Sequence, residues 1–517
     1  MPQVTKLTAA AVALTVAMSA CGAPAKPAPQ GPTPNPEVPT PQPAPTRPGP
    51  IAPTPSASFA AGTVKAAPVR APRTPIADVY RSLASKILAA GIDGKGGYTK
   101  LAYLTDHIGN RIAGSKRLEQ AVAWAQKAFT ADGQENVHAE KVMVTYWQRG
   151  DFSLEVLAPA PQKLHAIALG LSPGTPRKGI TAEVVVVDSF DALTALGEKG
   201  VKGKIVLFNH VMPPYTEEKG SGYGEASGYR VRGPAAAAKL GAVAALTRSA
   251  TARSLRTPHT GVTIFDTAKG EKAIPAAAVA LEDADLIARL VGEGPVKLKL
   301  VLGAKDMGKV PSANVIAELR GKDKPEEIVL LGAHLDSWDV GQGAQDDGAG
   351  VAIMMEALAI LRRGGWQPRR TIRVVLYTNE EHGIDGAIAY GKDHAAELPN
   401  HVAGIESDGG SYRPVGLSYE GKADAPAFVR LADIMTLLEP IGATGLQASH
   451  SGSDLAPLVA AGVPCMGHNT DGASYFDTHH TEADTLDKVD PVYLQQNAAM
   501  MAVVAFVLAD MPDRLGQ

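Results

Sequence analysis

Cysteine is almost absent: Cys21 and Cys465 are the only two in 517 residues. A disulfide framework is therefore excluded, and a single bridge would have to reach from the first residues into Gly462-Val463-Pro464-Cys465. Cys465 is expected to be a free core thiol, because buried cysteine behaves as a small hydrophobe. Charge of either sign is scarce in excess. The formal net charge is -3 and no basic run occurs, which argues against nucleic acid as a partner. Aromatics make up 5% of the chain. The one early apolar run, Leu7 to Ala17, is too short to span a bilayer, and no transmembrane segment is expected downstream. What is present is 45% hydrophobic content over 517 residues, enough for a large core and more than one domain.

Residues 1–21 read as a targeting segment. Lys6 precedes the apolar run, and Met18-Ser19-Ala20-Cys21 ends it in the manner of a bacterial lipoprotein processing site. Cys21 would carry the lipid and anchor an exported protein at the cell envelope, facing the periplasm or in the outer membrane. Residues 22–75 are dominated by Pro, Ala and Thr, without apolar periodicity, and read as a semi-rigid spacer.

The globular part is expected from Ile76. A helix is predicted over Ile112 to Phe129, started by Gly114-Ser115, and strands over Val142 to Trp147 and Phe152 to Leu157. Residues 164–303 change character: short β-branched runs (Ala182 to Val187, Lys204 to Phe208, Ala242 to Leu246, Ala277 to Leu281) alternate with short helices. They read as a small α/β module inserted between 76–163 and 304–517. From Ala313 the alternation becomes regular: strand Glu327 to Leu335, helix Gly348 to Arg362, strand Thr371 to Thr378, helix Gly386 to His394, strand Val402 to Glu406. The fold class is α/β, a mostly parallel sheet sandwiched by helices.

Chemistry-bearing residues gather at the strand ends, where open α/β sheets place their ligands. His334 and Asp336 are two apart and share a face. A neutral imidazole is a good zinc ligand, and a carboxylate can fix its tautomer. Asp346, in a Gly-rich loop before a helix, can bridge two ions with its two oxygens. Glu380 and Glu381 are adjacent and would point apart on an extended end, one to a metal and one free as a base. Their proximity calls for a cation. Asp408 and His480 complete the set, with His479 competing with His480. His382 and His468 are expected to be satisfied structural histidines.

His334-Leu-Asp336, Asp346-Asp347, Glu380-Glu381, Glu406-Ser407-Asp408, Ser453-Asp454-Leu455 and His480-Thr-Glu-Ala-Asp484-Thr appear in an order that resembles the di-zinc aminopeptidase and glutamate-carboxypeptidase metallopeptidase family. Tyr229-Arg-Val-Arg-Gly233, Thr257-Pro-His-Thr-Gly261 and Asp336 to Gly343 resemble its carboxypeptidase Q (plasma glutamate carboxypeptidase) branch, and the inserted module is similar to a protease-associated domain. The resemblance implies two Zn2+ per chain. One would be held by His334, Asp346 and Asp408, the other by Asp346, Glu381 and His480. Asp336 would orient His334, Glu380 would act as general base, and a cis peptide would join Asp346 to Asp347. A tyrosine of related aminopeptidases is replaced by His450, which would stabilise the oxyanion. Short peptides are the implied substrates, with carboxypeptidase or dipeptidase action first and aminopeptidase action next. The candidate protein partner is a second copy, as a homodimer. A receptor or scaffold that has lost its ligands is the competing class, and so is acyl transfer on a related fold; the complete ligand set and the inserted module weigh against them.

Overall fold

Near-continuous apolar runs form the centre of the first sheet. Among the described residues (76–217, 219–253 and 255–516) of the computed structural model, eight strands pair in the order 135–148, 305–319, 370–377, 324–334, 401–406, 465–470, 414–419 and 445–448. The expected signal segment, Cys21 and the whole Pro-rich spacer, residues 22–75, lie outside these residues. Lys324–His334, Arg370–Tyr377, His401–Glu406 and Cys465–Thr470 run parallel, and Arg370–Tyr377 is buried along its whole length. Burial on both faces explains why these strands read as unbroken Val/Ile/Leu runs rather than alternating ones. Glu135–Gln148 forms one edge, antiparallel to Lys305–Leu319, while on the other side Pro414–Tyr419 runs antiparallel to Cys465–Thr470 and Gly445–Ala448 adds a parallel edge strand.

Helices cover both faces. Lys116–Ala131 begins at Ser115, whose hydroxyl accepts the Leu118 N–H, as the sequence signal predicts. Ala349–Arg363 and Pro491–Asp510 pack together, and Ile76–Ile92 packs on the latter. Pro491–Asp510 is long and apolar enough to cross a membrane, yet 83% of its apolar window is buried in this protein's core. A helix that is apolar all round is a core helix here. Cys465 is a free, buried thiol, as expected.

The second sheet holds eight strands in the order 162–164, 152–158, 297–302, 180–187, 205–208, 244–248, 276–279 and 166–168. It corrects the expected division at 163/164. Phe152–Ala158 pairs antiparallel with Lys297–Leu302, so the second unit begins at 152. Strand pairing decided this, which a short alternating run cannot reveal by itself. Two shorter strands also differ from expectation: 244–248 starts two residues late, and 276–279 stops at Val279 because Leu281–Glu293 is already helix.

His401 illustrates a buried neutral histidine. It lies at the start of a parallel strand, with Nε2 2.8 Å from the Tyr390 hydroxyl and Nδ1 3.1 Å from the Glu397 carbonyl oxygen. Burial, assisted by Arg373, pushes its pKa down to about 4. The unfolded chain therefore takes up a proton near pH 6.5 that the folded chain refuses until about pH 4, so folded stability is lost as pH falls through that window. The full effect is about 3 kcal/mol. The drop in thermal midpoint between pH 6.5 and 4.5 should be smaller in His401→Gln than in the parent protein, measured by calorimetry.

Candidate metal centre

Four segments meet beyond the carboxyl ends of the parallel strands. His334 closes Lys324–His334, Asp408 follows His401–Glu406, Glu380 and Glu381 follow Arg370–Tyr377, and the turn Ala344–Gly348 precedes Ala349–Arg363. His334 Nε2 lies 3.2 Å from one oxygen of Asp346 and 3.4 Å from Asp408. His480 Nε2 lies 3.1 Å from the other oxygen of Asp346 and 3.1 Å from Glu381. Asp346 thus gives one oxygen to each of two triads. The peptide joining Asp346 to Asp347 is cis. His479 stacks on His480 at 3.6 Å and reaches the same Asp346 oxygen at 3.3 Å, but His480 is the one that also contacts Glu381.

The donor set fits a divalent cation. His334 Nε2, Asp346 Oδ2 and Glu381 Oε1 are buried without a hydrogen-bond partner, an arrangement that buried polar atoms avoid unless an ion completes them. Burial opposes a charge on His334, yet Asp346 and Asp408 hold its imidazole well above the usual range. His480 is held high against burial by Glu381 and Asp346. Burial and Asp346 push the Glu381 carboxyl up to about 7. Acids outnumber cations in this pocket, and only added positive charge relieves that imbalance.

The surroundings are built to hold the ligands. Asp347 accepts the His334 and Gly350 N–H groups, each at 3.1 Å. Asp484 accepts the Gln345 and Asp346 N–H groups at 2.7 and 3.2 Å, and burial raises its carboxyl to about 7. The fully buried Arg111 donates to the carbonyls of Leu335, Gly109, Gln342 and Gly343, fixing the loop between the two ligand segments. Arg111 was invisible in the sequence, where Gly109-Asn-Arg-Ile carries no motif. So was Thr260, which acts through its main chain: its carbonyl oxygen lies 3.2 Å from His480 Nδ1 and its N–H donates to the His480 carbonyl at 3.0 Å. The loop that carries Thr260 thereby holds the tautomer of His480.

Two expected roles change. The Asp336 carboxylate is 3.8 Å from His334 Nδ1, which sits 3.0 Å from the Asp336 main-chain oxygen instead. That carboxylate accepts the N–H groups of Glu380 and Glu381 at 3.1 and 3.4 Å. Asp336 therefore orients the glutamate pair with its side chain and His334 with its backbone. The glutamates diverge because they occupy a turn after Asn379 (φ 67°), not an extended end. His450 does not join the cluster. It is exposed, its Nδ1 accepts the Gly452 N–H, and no hydrogen bond or ion pair links it to the triads. Ser451, fastened to Glu420 at 3.0 and 2.6 Å, anchors the loop that carries it. His468 is satisfied by Ser407 and Asn497. His382 is buried edge-on to Trp338 and Trp147, without a hydrogen-bond partner.

Comparison with known proteins bears directly on this geometry. Carboxypeptidase Q of Mus musculus is 40% identical over 440 residues, 84% of this chain and 91% of the mouse protein, and residues 314–505 match the model of peptidase family M28. The chain belongs to peptidase family M28. Carboxypeptidase Q of Homo sapiens is likewise 40% identical, over 81% of this chain and 86% of its own length. The structure of a peptidase M28 precursor from Shewanella amazonensis superposes with a TM-score of 0.80 at 39% identity, covering 84% of this chain and 98% of that one. A zinc aminopeptidase from Bacillus subtilis shares the fold at TM-score 0.60 and 21% identity, over 82% and 97% of the two chains. The M28 chain described here is a metallopeptidase.

Removing a partner that orients metal ligands typically weakens metal binding 10–100-fold. Asp484→Ala should do so in chelator competition with zinc, whereas His450→Ala should leave zinc affinity unchanged.

Proposed function

We propose that this M28 metallopeptidase is a co-catalytic two-zinc exopeptidase that cleaves short peptides with free termini, by carboxypeptidase or dipeptidase action. The observation that carries the reading is the sharing of Asp346 between the His334–Asp408 and His480–Glu381 pairs, which offers two adjoining N/O sites with one bridging carboxylate. When bound, zinc at these sites would supply Lewis acidity to the scissile carbonyl and to the attacking water. His334, Asp346 and Asp408 would hold one ion, and Asp346, Glu381 and His480 the other.

Glu380 is the group left free for proton transfer. Burial pushes its carboxyl well above the usual range, and Asp408, Glu381 and Asp336 add to this against the opposing charge of His334. In the proposed reaction Glu380 takes a proton from water as the water oxygen bonds to the carbonyl carbon. It returns that proton to the amine nitrogen as the C–N bond breaks. Asp336 keeps Glu380 in place through its main-chain N–H.

Identity of 40% with proteins named carboxypeptidase Q favours carboxy-terminal action. Aminopeptidase action is the second reading, supported by the leucine aminopeptidase 2 of Trichophyton equinum at 28% identity over about half the chain. The second sheet would be the protease-associated domain, now starting at 152. Export and anchoring through a lipid on Cys21 belong to the same reading, supported by residues 1–75 alone.

Glu380→Gln should lower kcat by about 10²–10⁴-fold while zinc content stays at about two per chain. His480→Ala should reduce zinc content to about one. Dipeptides blocked at either end separate the two readings: cleavage of N-blocked but not C-blocked substrates supports carboxypeptidase action, and the reverse pattern supports aminopeptidase action. Full activity in the metal-free protein would overturn both.

A further inference from the structure

A second cluster of histidines and carboxylates gathers at the other end of the first sheet. His138 and Glu140 are two apart on the edge strand Glu135–Gln148 and share a face. His394 closes the helix Asp385–Asp393, and Glu397 follows three residues later. The His394 ring stacks on Tyr390 at 4.3 Å, and the Tyr390 hydroxyl reaches His401, the first residue of its parallel strand. The candidate metal centre lies beyond the carboxyl ends of these strands, so this cluster stands at their amino ends, away from it.

Both rings meet oxygen at both nitrogens. His394 Nε2 lies 2.9 and 3.0 Å from the two Glu140 oxygens, and its Nδ1 lies 2.9 Å from Glu397, which Arg373 holds at 3.1 Å. His138 Nε2 lies 3.1 Å from Glu140, and its Nδ1 lies 2.7 Å from the Asn136 main-chain oxygen. A neutral imidazole has one N–H to give, so each ring needs either a second proton or a cation in its place. The contact with Glu140, aided by Glu397, raises the His394 pKa against burial, so positive charge is favoured at this point. With both Nδ1–H groups committed outward, the two Nε2 lone pairs converge on one carboxylate. Metal-ligating histidines are held in this way, the far nitrogen donating to a carboxylate or a main-chain carbonyl. The chain is shaped for it. An extra residue between Glu135 and His138 breaks register with Lys305–Leu319, and Asn136 is left-handed at φ 49°. Such a bulge re-aims the side chain beside it. Donors bonded to one tetrahedral zinc lie about 3.3 Å apart, close to the separation of each ring from Glu140.

We infer that His138, Glu140 and His394 form an accessory site for a divalent transition metal such as Zn2+, separate from the hydrolytic centre. Two imidazoles and a carboxylate suit zinc, copper or nickel, whereas magnesium takes oxygen ligands. An ion bound there ties the edge strand of the sheet to the end of the helix Asp385–Asp393. With three donors, and a His138 side chain 40% exposed, it exchanges with solution and is not among the ions the centre retains.

The test is direct metal binding. Zinc-loaded protein is freed of loose metal by gel filtration and titrated by calorimetry with Zn2+ and, separately, with Mg2+. Zinc should fill about one further site per chain and magnesium none. His138→Ala and His394→Gln should each lose that site while dipeptide hydrolysis stays unchanged, which also shows that both variants are folded. Glu397→Ala should keep the stoichiometry and weaken zinc about 10–100-fold, because Glu397 only orients His394. No zinc bound beyond the centre, a further site that takes magnesium equally, or one that persists in both His138→Ala and His394→Gln would overturn the assignment and leave a protonated ion-pair network in its place. The inference does not rest on the proposed reaction: a shortfall in the zinc retained before the titration counts against the centre alone.

Discussion

One carboxylate organises this molecule. Asp346 gives an oxygen to His334 on one side and to His480 on the other, and these two histidines come from chain segments nearly 150 residues apart. Without a shared anion the two imidazoles would have no common point, and without cations the surrounding acids would repel. Much of the nearby structure follows from holding Asp346 still. Asp484 fixes its main-chain N–H, Arg111 fixes the carbonyl of Gly343 that leads into its turn, and Asp347 ties the turn to the backbone of His334. These are buried polar contacts that each use up a donor or an acceptor, so they specify one geometry.

The division of labour between the two sheets follows from the same constraint. The parallel strands of the first sheet can place ligands at their carboxyl ends, but they cannot reach the outward nitrogen of His480. Thr260 does, from a loop of the second unit. Thr260 is itself held by Arg149, whose Nη1 donates to the hydroxyl at 3.0 Å and whose Nε faces Asp339. Asp339 lies on the loop that leaves His334 and Asp336. The chain of contacts therefore returns to the first triad, and Thr260 of the second unit forms part of the surroundings of the centre.

Much of this was legible in the sequence because strand-end chemistry repeats a simple rule. Apolar runs of five to eight residues followed by His, Glu or Asp mark candidate ligand positions in a parallel sheet, and His334, Glu381 and Asp408 all lie at such ends. What stayed hidden has a physical reason in each case. Thr260 contributes a main-chain oxygen, which leaves no trace in residue type. Arg111 is distinguished only by the four carbonyls it finds after folding. Asp336 looked like a partner for His334 because the two share a face. A carboxylate that can accept two N–H groups from the next turn is better satisfied there than at 3.8 Å from one imidazole. His450 was singled out because it stands where related aminopeptidases carry a tyrosine, and place in the sequence carries no information about which way a loop between two anchors turns. The start of the second unit at 152 was equally hidden, since a strand's sheet is decided by its partner.

His480 shows how far the two units depend on each other. Its backbone is left-handed, with φ 60°, a region that costs a residue with a Cβ about 1–2 kcal/mol. Neither its own loop nor a glycine relieves this. The offset comes from Thr260, which bonds to His480 twice, once at the ring and once at the carbonyl, so that the ring is aimed at Asp346 while the backbone is clamped from the other side. His480 is held in an unfavourable backbone conformation by a loop more than 200 residues earlier, so its placement depends on that loop packing against it. The loop between strands 244–248 and 276–279 of the second sheet is thus part of what places His480, and its Thr260 carbonyl also accepts a hydrogen bond from Arg230.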